Sequence, residues 1–273
     1  MSHDSPRALI FDSGLGGLSV FQEIAARLPG LACVYAADTA FFPYGTKAEE
    51  DLVRRLPRLL TALAARYCPD IAVIACNTAS TVALPPIRVA LSQPVVGTVP
   101  AIKPAARLSR SRVIGLLGTP GTVRRAYTDR LIDQFAGDCR VLRHGSAELV
   151  ALAEEKLRSG RVALERVRAA VAPLWAQPGA SDIDVLVLAC THFPLLREEL
   201  QAVVPTGVTL IDSGEAIARR VADLLPEGNT TATRTHVAVA TAATHGNEAS
   251  FEALGFARVD LFDAGTEAAA TVA

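Results

Sequence analysis

The chain has 273 residues, half of them apolar, enough for one large domain or two modest ones with a sizeable core. A formal net charge of −1 carries neither the basic excess of a nucleic-acid binder nor a polybasic membrane-surface segment, so a small molecule is the default partner. Five widely spaced cysteines with no C-x-x-C exclude a disulfide framework and a zinc ribbon and fit a reducing compartment.

The opening "MSHDSPRALIF" has no basic n-region or apolar h-region, and no run approaches the roughly 18 apolar residues of a membrane span, so a cytoplasmic protein is expected. "RALIF" is read as a strand and "SVFQEIAARL" as a helix. "LACVYAA" then precedes the helical "AEEDLVRRLPRLLTALAARY", and "DIAVIAC" precedes a helix from about Thr78. Pro57 is expected to kink or split the second helix. Strands alternating with helices predict an α/β fold, and continuous apolar runs are what buried parallel strands look like.

Gly97, Pro100 and Pro104 mark a break, after which the pattern restarts. "RVIGLLG" is a strand. "TVRRAYTDRLIDQF" is a helix with Val123, Tyr127, Leu131 and Phe135 on one stripe, and "RVALERVRAAVAPLW" another with Val162, Val167, Val171 and Leu174 near one face. "DVLVLAC" closes this half as "IAVIAC" closes the first. "VTLID", "GEAIARRVADLL", "THVAVA" and "FARVDLF" are too little for a third domain and are read as returning to complete the first, with "AGTEAAATVA" a frayed tail. The expected architecture is two similar domains, 1–97 with 210–273 and 98–209. Each is a mainly parallel sheet flanked by helices, with the active site in the cleft between them.

Ligands of open parallel sheets bind beyond the carboxyl ends of the strands. Asp12, Ser13, Asp38, Thr39, Cys76, Asn77, Thr78, Gly118, Thr119, Cys190, Thr191 and His192 all fall there. One cysteine at a strand end is ordinarily an inert core residue; two at matching positions ask for a function. A helix after Cys76, capped by Asn77 or Thr78, and another after Cys190, capped by Thr191 or His192 with Pro194 in its first turn, would aim N–H groups at each sulfur. Such placement lowers a thiol's pKa from about 8.5.

Two such thiols on opposite sides of a substrate suit an enzyme that inverts a carbon, one taking a proton and the other delivering one. A metal site needs three or four converging ligands, whereas only Cys190 and His192 are neighbours, so no metal is expected. "FDSGLGG" departs from G-x-G-x-x-G at Ser19, so its glycines are read as letting Asp12 and Ser13 meet a small substrate. Pyridoxal phosphate would need a lysine, and Lys103, in the interdomain "PAIKPA", is poorly placed for it. No cofactor is expected.

"FDSGLGGLSV", "ADTAFFPYG", "VIACNTAS", "PVVGTVPAIKPA", "LLGTPGTV", "LACTHFPLL" and "IDSGEA" occur in order between residues 9 and 216. In this ordered set the chain resembles the glutamate racemases of the aspartate/glutamate racemase superfamily. The resemblance implies cofactor-independent interconversion of L- and D-glutamate, supplying D-glutamate for peptidoglycan. It makes Cys76 and Cys190 the catalytic thiols, acting on the D- and L-enantiomer respectively, with Asp12 assisting the first and His192 the second. Asp12, Ser13, Pro43, Tyr44, Gly45, Asn77, Thr78, Thr119, Thr191 and His192 would bind the substrate's carboxylates and ammonium.

A glutamate that joins the site in some members has Glu154 as its nearest counterpart, but the surrounding "RHGSAELVAL" departs from the family's form, and Glu154 stays outside the catalytic set. Cys33, Cys68 and Cys139 match no motif and are read as structural, and His3, His144, His236 and His245 as surface or core residues. A homodimer is the family's habit; no nucleic-acid or membrane partner is implied. The rival readings are a related racemase of aspartate or hydantoins, and a non-catalytic amino-acid-binding or regulatory protein on the same fold.

Overall fold

The computed structural model describes residues 6–225, 235–243 and 248–263. The stretch from Ala264 onward, read as a tail, and His3 and His245 lie outside the described residues. The chain divides into two units, Met1–Thr98 with Gly214–Ala273, and Val99–Ser213.

The first unit opens with β1 (Arg7–Asp12), α1 (Leu18–Arg27), β2 (Ala32–Ala37), α2 (Glu49–Tyr67), β3 (Ile71–Ile74), α3 (Asn77–Ala90) and β4 (Val95–Gly97). The second comprises α4 (Ile102–Leu108), β5 (Val113–Gly118), α5 (Pro120–Arg124), α6 (Ala126–Phe135), β6 (Arg140–Gly145), α7 (Glu148–Ser159), α8 (Leu164–Trp175), β7 (Val185–Ala189), α9 (Arg197–Val203) and β8 (Thr209–Ile211). The chain then returns to the first with α10 (Gly214–Leu224), β9 (His236–Ala240), α11 (Glu248–Ala253) and β10 (Phe256–Leu261).

Each unit has its own parallel sheet, ordered β10-β9-β2-β1-β3-β4 in the first and β6-β5-β7-β8 in the second. The run β2-β1-β3-β4 is repeated strand for strand as β6-β5-β7-β8, and β9 and β10 extend the first sheet at the β2 edge. This corrects the reading of "VTLID": β8 pairs with β7, Thr209 opposite Val185, as the counterpart of β4, and so belongs to the second sheet rather than the first. The α/β class and the parallel sheets are as the strand–helix alternation predicts.

Helix α2 buries Leu52, Leu56, Leu59, Leu60 and Leu63 on one side, the spacing of a single helical face. Each such side chain contributes about 1.5–3 kcal/mol over its exposed state. Pro57 does not split this helix. The helix runs on from Glu49 to Tyr67 although the proline N has no hydrogen for the carbonyl of Val53.

The segment read as one helix over 122–135 is broken instead. Arg125 is extended at ψ 141° and separates α5 from α6, while the Thr128 hydroxyl donates to the Thr122 carbonyl at 2.6 Å. The break resets the helical phase, so the buried line of α6 runs through Thr128 and Ile132, and Tyr127, Leu131 and Phe135 are only half-buried. In α8, Val167, Val171 and Leu174 are buried as the spacing predicts, while Val162 precedes the helix. Among the described residues no helix is long and apolar enough to cross a membrane.

Candidate active site

The register brings the chemistry to one end of each sheet. In the first, Asp12 ends β1 opposite Ala37, Asp38 follows directly, and Cys76 lies two residues past the end of β3. In the second, Gly118 pairs with Ala189, and Cys190 comes next. Cys76 after β3 and Cys190 after β7 therefore hold equivalent places in the repeated run, and each is only 6% exposed.

Around Cys76 the structure gathers Asp12, Ser13, Asn77 and Thr78, all buried. The thiol contacts the Ser13 hydroxyl at 3.9 Å, and that hydroxyl contacts Asp12 Oδ1 at 3.5 Å. The other Asp12 oxygen accepts the Gly17 N–H at 2.7 Å, so the carboxylate is pinned where the chain turns into α1. A Cβ on Gly17 would stand 2.9 Å from Asp12 Cβ and 3.0 Å from Ala75 Cβ, closer than side chains pack. Gly17→Ala is therefore expected to push Asp12 out of place and cost about 1–3 kcal/mol of stability. Urea denaturation checks this: an unchanged midpoint would mean that the turn has room to relax.

Helix α3 begins at Asn77, and its N-cap is Cys76 itself rather than Asn77 or Thr78. The sulfur thus stands at the positive end of a 14-residue helix. Two hydroxyls unnoticed in the sequence hold the strand end before it: Ser80 and Thr98 both donate to the Ile74 carbonyl, at 3.1 and 2.8 Å. They could not be read from local pattern, because Thr98 reaches back across 24 residues.

Pro43, Tyr44 and Gly45 lie in the connection between β2 and α2, where the Phe42–Pro43 peptide is cis and Tyr44–Thr46 makes a 3₁₀ turn. Tyr44 is 1% exposed, and its hydroxyl donates to Asp38 Oδ2 at 2.6 Å. Burial, and then the neighbouring Asp38 carboxylate, push this phenol well above its ordinary range, so it acts as a neutral donor. The tyrosyl oxygen is turned inward onto Asp38.

At Cys190 the surroundings differ. The chain enters a 3₁₀ helix, Phe193–Leu196, with His192 at its N-cap, and α9 starts at Arg197, so the helix expected after the thiol is there with the expected cap, but its first turn is 3₁₀ rather than α. Pro194 does lie in the first turn. The electrostatic partner is His192 instead: its Nδ1 is 3.8 Å from Cys190 Sγ, and its Nε2 is 2.9 Å from Glu154 Oε1 on α7. Burial opposes a charge on this ring, but hydrogen bonds to Cys190 and Glu154 outweigh it and raise the imidazolium pKa well above the usual histidine value. Glu154, left outside the catalytic set on sequence grounds, thus stands behind the second thiol as Asp12 stands behind the first.

Thr191 is buried beside this cluster, while Thr119 is half-buried and N-caps α5, accepting the Thr122 N–H at 3.1 Å. The remaining cysteines lie elsewhere. Burial pushes the Cys33 thiol up to about 12, Cys139 is half-buried, and Cys68 is exposed where α2 ends in a left-handed residue at φ 47°. His144 Nε2 meets the Ala170 carbonyl at 2.9 Å, and His236 Nδ1 accepts the Cys33 N–H at 3.2 Å, so both sit in structural contacts. Among the described residues no three His, Cys, Asp or Glu side chains are grouped to hold a metal ion.

Each unit thus carries a buried thiol with a hydroxyl or imidazole beside it and a carboxylate behind, an arrangement for moving single protons. Residues 15–221 match the sequence model of the Asp/Glu/Hydantoin racemase family. Glutamate racemase of Klebsiella pneumoniae is 56% identical over 224 residues, 82% of this chain and 78% of that protein. Glutamate racemase of Sphingopyxis alaskensis is 58% identical over 221 residues, 81% and 82% of the two chains. The crystal structure of Escherichia coli glutamate racemase in complex with L-glutamate and the activator UDP-MurNAc-ala superposes with a TM-score of 0.87 at 45% identity, covering 94% of this chain and 98% of that one.

Proposed function

This chain belongs to the Asp/Glu/Hydantoin racemase family, and on that footing we propose that it is a glutamate racemase that interconverts L- and D-glutamate with Cys76 and Cys190 as its two bases. The observation that carries this reading is the pair of buried thiols at equivalent strand ends, each backed by a carboxylate: Asp12 through Ser13, and Glu154 through His192.

In the proposed reaction one cysteine, as thiolate, takes the α-proton. The electron pair left on carbon spreads into the α-carboxylate, and the other cysteine, as thiol, delivers its proton to the opposite face. The two cysteines end with their protonation states exchanged, and the reverse reaction swaps their roles. An amino acid's α-proton is far less acidic than a thiol, so basicity alone is insufficient. The site has to lower the energy of the carbanion-like transition state by keeping the ammonium beside it and directing N–H groups at the carboxylate. The start of α3, with Asn77 and Thr78, supplies such donors on the Cys76 side, while the Tyr44 and Gly45 N–H groups of the Pro43–Tyr44–Gly45 turn hold the substrate equally in ground and transition state. Thr191 and Thr119 serve on the Cys190 side. No cofactor takes part in this scheme, and its product fits a cytoplasmic supply of D-glutamate for peptidoglycan.

Incubating purified protein with L-glutamate in D2O, without added cofactor, tests the reading. Loss of optical rotation with one deuterium at the α-carbon of the D-product is expected. Binding without turnover, or turnover only of aspartate or a hydantoin, would sink it.

A further inference from the structure

The racemase scheme uses Asp12, Ser13 and Cys76 but leaves a second buried carboxylate in the same unit unexplained. Asp38 is fully buried at the end of β2, and four donors saturate its two oxygens. Arg55 Nε donates to Oδ2 at 2.6 Å and its Nη2 to Oδ1 at 2.7 Å; the Tyr44 hydroxyl reaches Oδ2 at 2.6 Å and the Thr241 hydroxyl Oδ1 at 2.7 Å. These donors come from α2, from the turn after β2 and from the end of β9. Arg55 also lies over the Phe41 ring, 5.1 Å from its centroid, and Phe41 meets Tyr44 edge-on at 6.2 Å. The guanidinium thus grips the 38–44 segment at its start and braces its middle.

That segment needs a grip. It contains only two 3₁₀ turns between β2 and α2, too little regular structure to define its own path. Its end nevertheless matters, because Tyr44 packs in the same core cluster as Cys76. A shift of Tyr44 would move the main chain of Pro43–Tyr44–Gly45 relative to the start of α3. Arginine suits the task through its planar fork, which holds both carboxylate oxygens at once, whereas lysine is a single point charge.

We propose that Arg55 is a positioning residue of the racemase: acting through Asp38 and the Tyr44 hydroxyl, it holds the Pro43–Tyr44–Gly45 turn in the place where that turn binds substrate. The role rests on the glutamate-racemase reading, and Arg55 itself touches neither substrate nor thiol in it.

The test is steady-state racemisation of both glutamate enantiomers by wild type, Arg55→Met, Arg55→Lys and Tyr44→Phe, with a thermal melt of each. A misplaced binding turn weakens ground state and transition state alike, so KM is expected to rise about tenfold or more in Arg55→Met and Tyr44→Phe, with kcat within about threefold. Arg55→Lys should fall between, its charge kept and its fork lost. A merely structural role behaves differently, since loss of folded protein lowers the apparent kcat and leaves KM alone. Arg55→Met strands a buried carboxylate; if it does not fold, Arg55→Lys and Tyr44→Phe carry the test. KM within twofold of wild type in the folded variants, or a fall in kcat at unchanged KM, overturns the proposal alone. A wild type without glutamate turnover overturns the racemase reading and this role with it.

Discussion

Replacing either Cys76 or Cys190 with serine is expected to lower the rate of glutamate racemisation by about 10³-fold or more while leaving the fold in place. The swap changes one atom at a buried site, and each new hydroxyl retains a polar neighbour, Ser13 in one case and His192 in the other. The melting temperature should therefore stay within about 5 °C of wild type. Chemistry suffers far more, because a thiol ionises near 8.5 and a serine hydroxyl does not ionise in the neutral range. Both losses should be equally severe, since inversion needs one group to take the proton and the other to give it. The two variants should differ in a partial reaction. If Cys190 acts on the L-enantiomer and Cys76 on the D-enantiomer, as the family resemblance implies, then with Cys76 removed the α-hydrogen of L-glutamate should still exchange with D2O, and with Cys190 removed that of D-glutamate should. NMR of the recovered substrates reads this directly, and near-wild-type racemisation by either variant would remove the two-base mechanism.

The second large effect is expected at Glu154, and it depends on pH. The carboxylate and the Cys190 sulfur together hold His192 protonated well above its ordinary pKa near 6.5, against the cost of burial. Because the folded-state pKa is the raised one, the stabilisation is fully present below the unfolded value and disappears as pH rises through the folded value. Glu154→Gln keeps the shape but removes the charge. Its stability should be about 1.5–3 kcal/mol below wild type near pH 6, the usual worth of a hydrogen bond to a charged group, and the gap should close at higher pH. Activity should fall about ten- to hundredfold by the same energy, and the alkaline limb of kcat/KM should move toward lower pH, since the imidazolium beside Cys190 is lost sooner. A pH profile superimposable on wild type would show that Glu154 has no part in setting His192.

Much of the site was legible because its members sit at strand ends. Apolar runs such as Ile71–Ile74 and Val185–Ala189 announce parallel strands, and whatever follows them lies at the carboxyl edge of a sheet. Cys76, Cys190, Asp12, Ser13 and His192 could be named on that ground alone. Glu154 could not: it lies 38 residues before His192, in the middle of a helix whose pattern marks nothing unusual there. Arg55 reads as one more charge on an amphipathic helix, and Thr241 donates to Asp38 across 203 residues.

The helix expected after Cys190 starts at its expected cap, His192, but as a 3₁₀ turn, and becomes α only at Arg197. "THFPLL" carries the helix-start signals, and Phe193 and Leu196 of that turn are buried in the core of the second unit.

The sequence by itself determined the α/β class, the architectural likeness of the two halves and the two thiols with their immediate chain neighbours. These follow from apolar runs, helical period and the junctions between them, all local to the chain. Only the tertiary structure decided which sheet takes Thr209–Ile211, which carboxylate stands behind each thiol, and what holds the Tyr44 turn. Strand pairing and buried hydrogen bonds join residues far apart in the chain, and they are chosen by packing: a buried polar group needs a partner, and the fold determines which distant residue is near enough to be one.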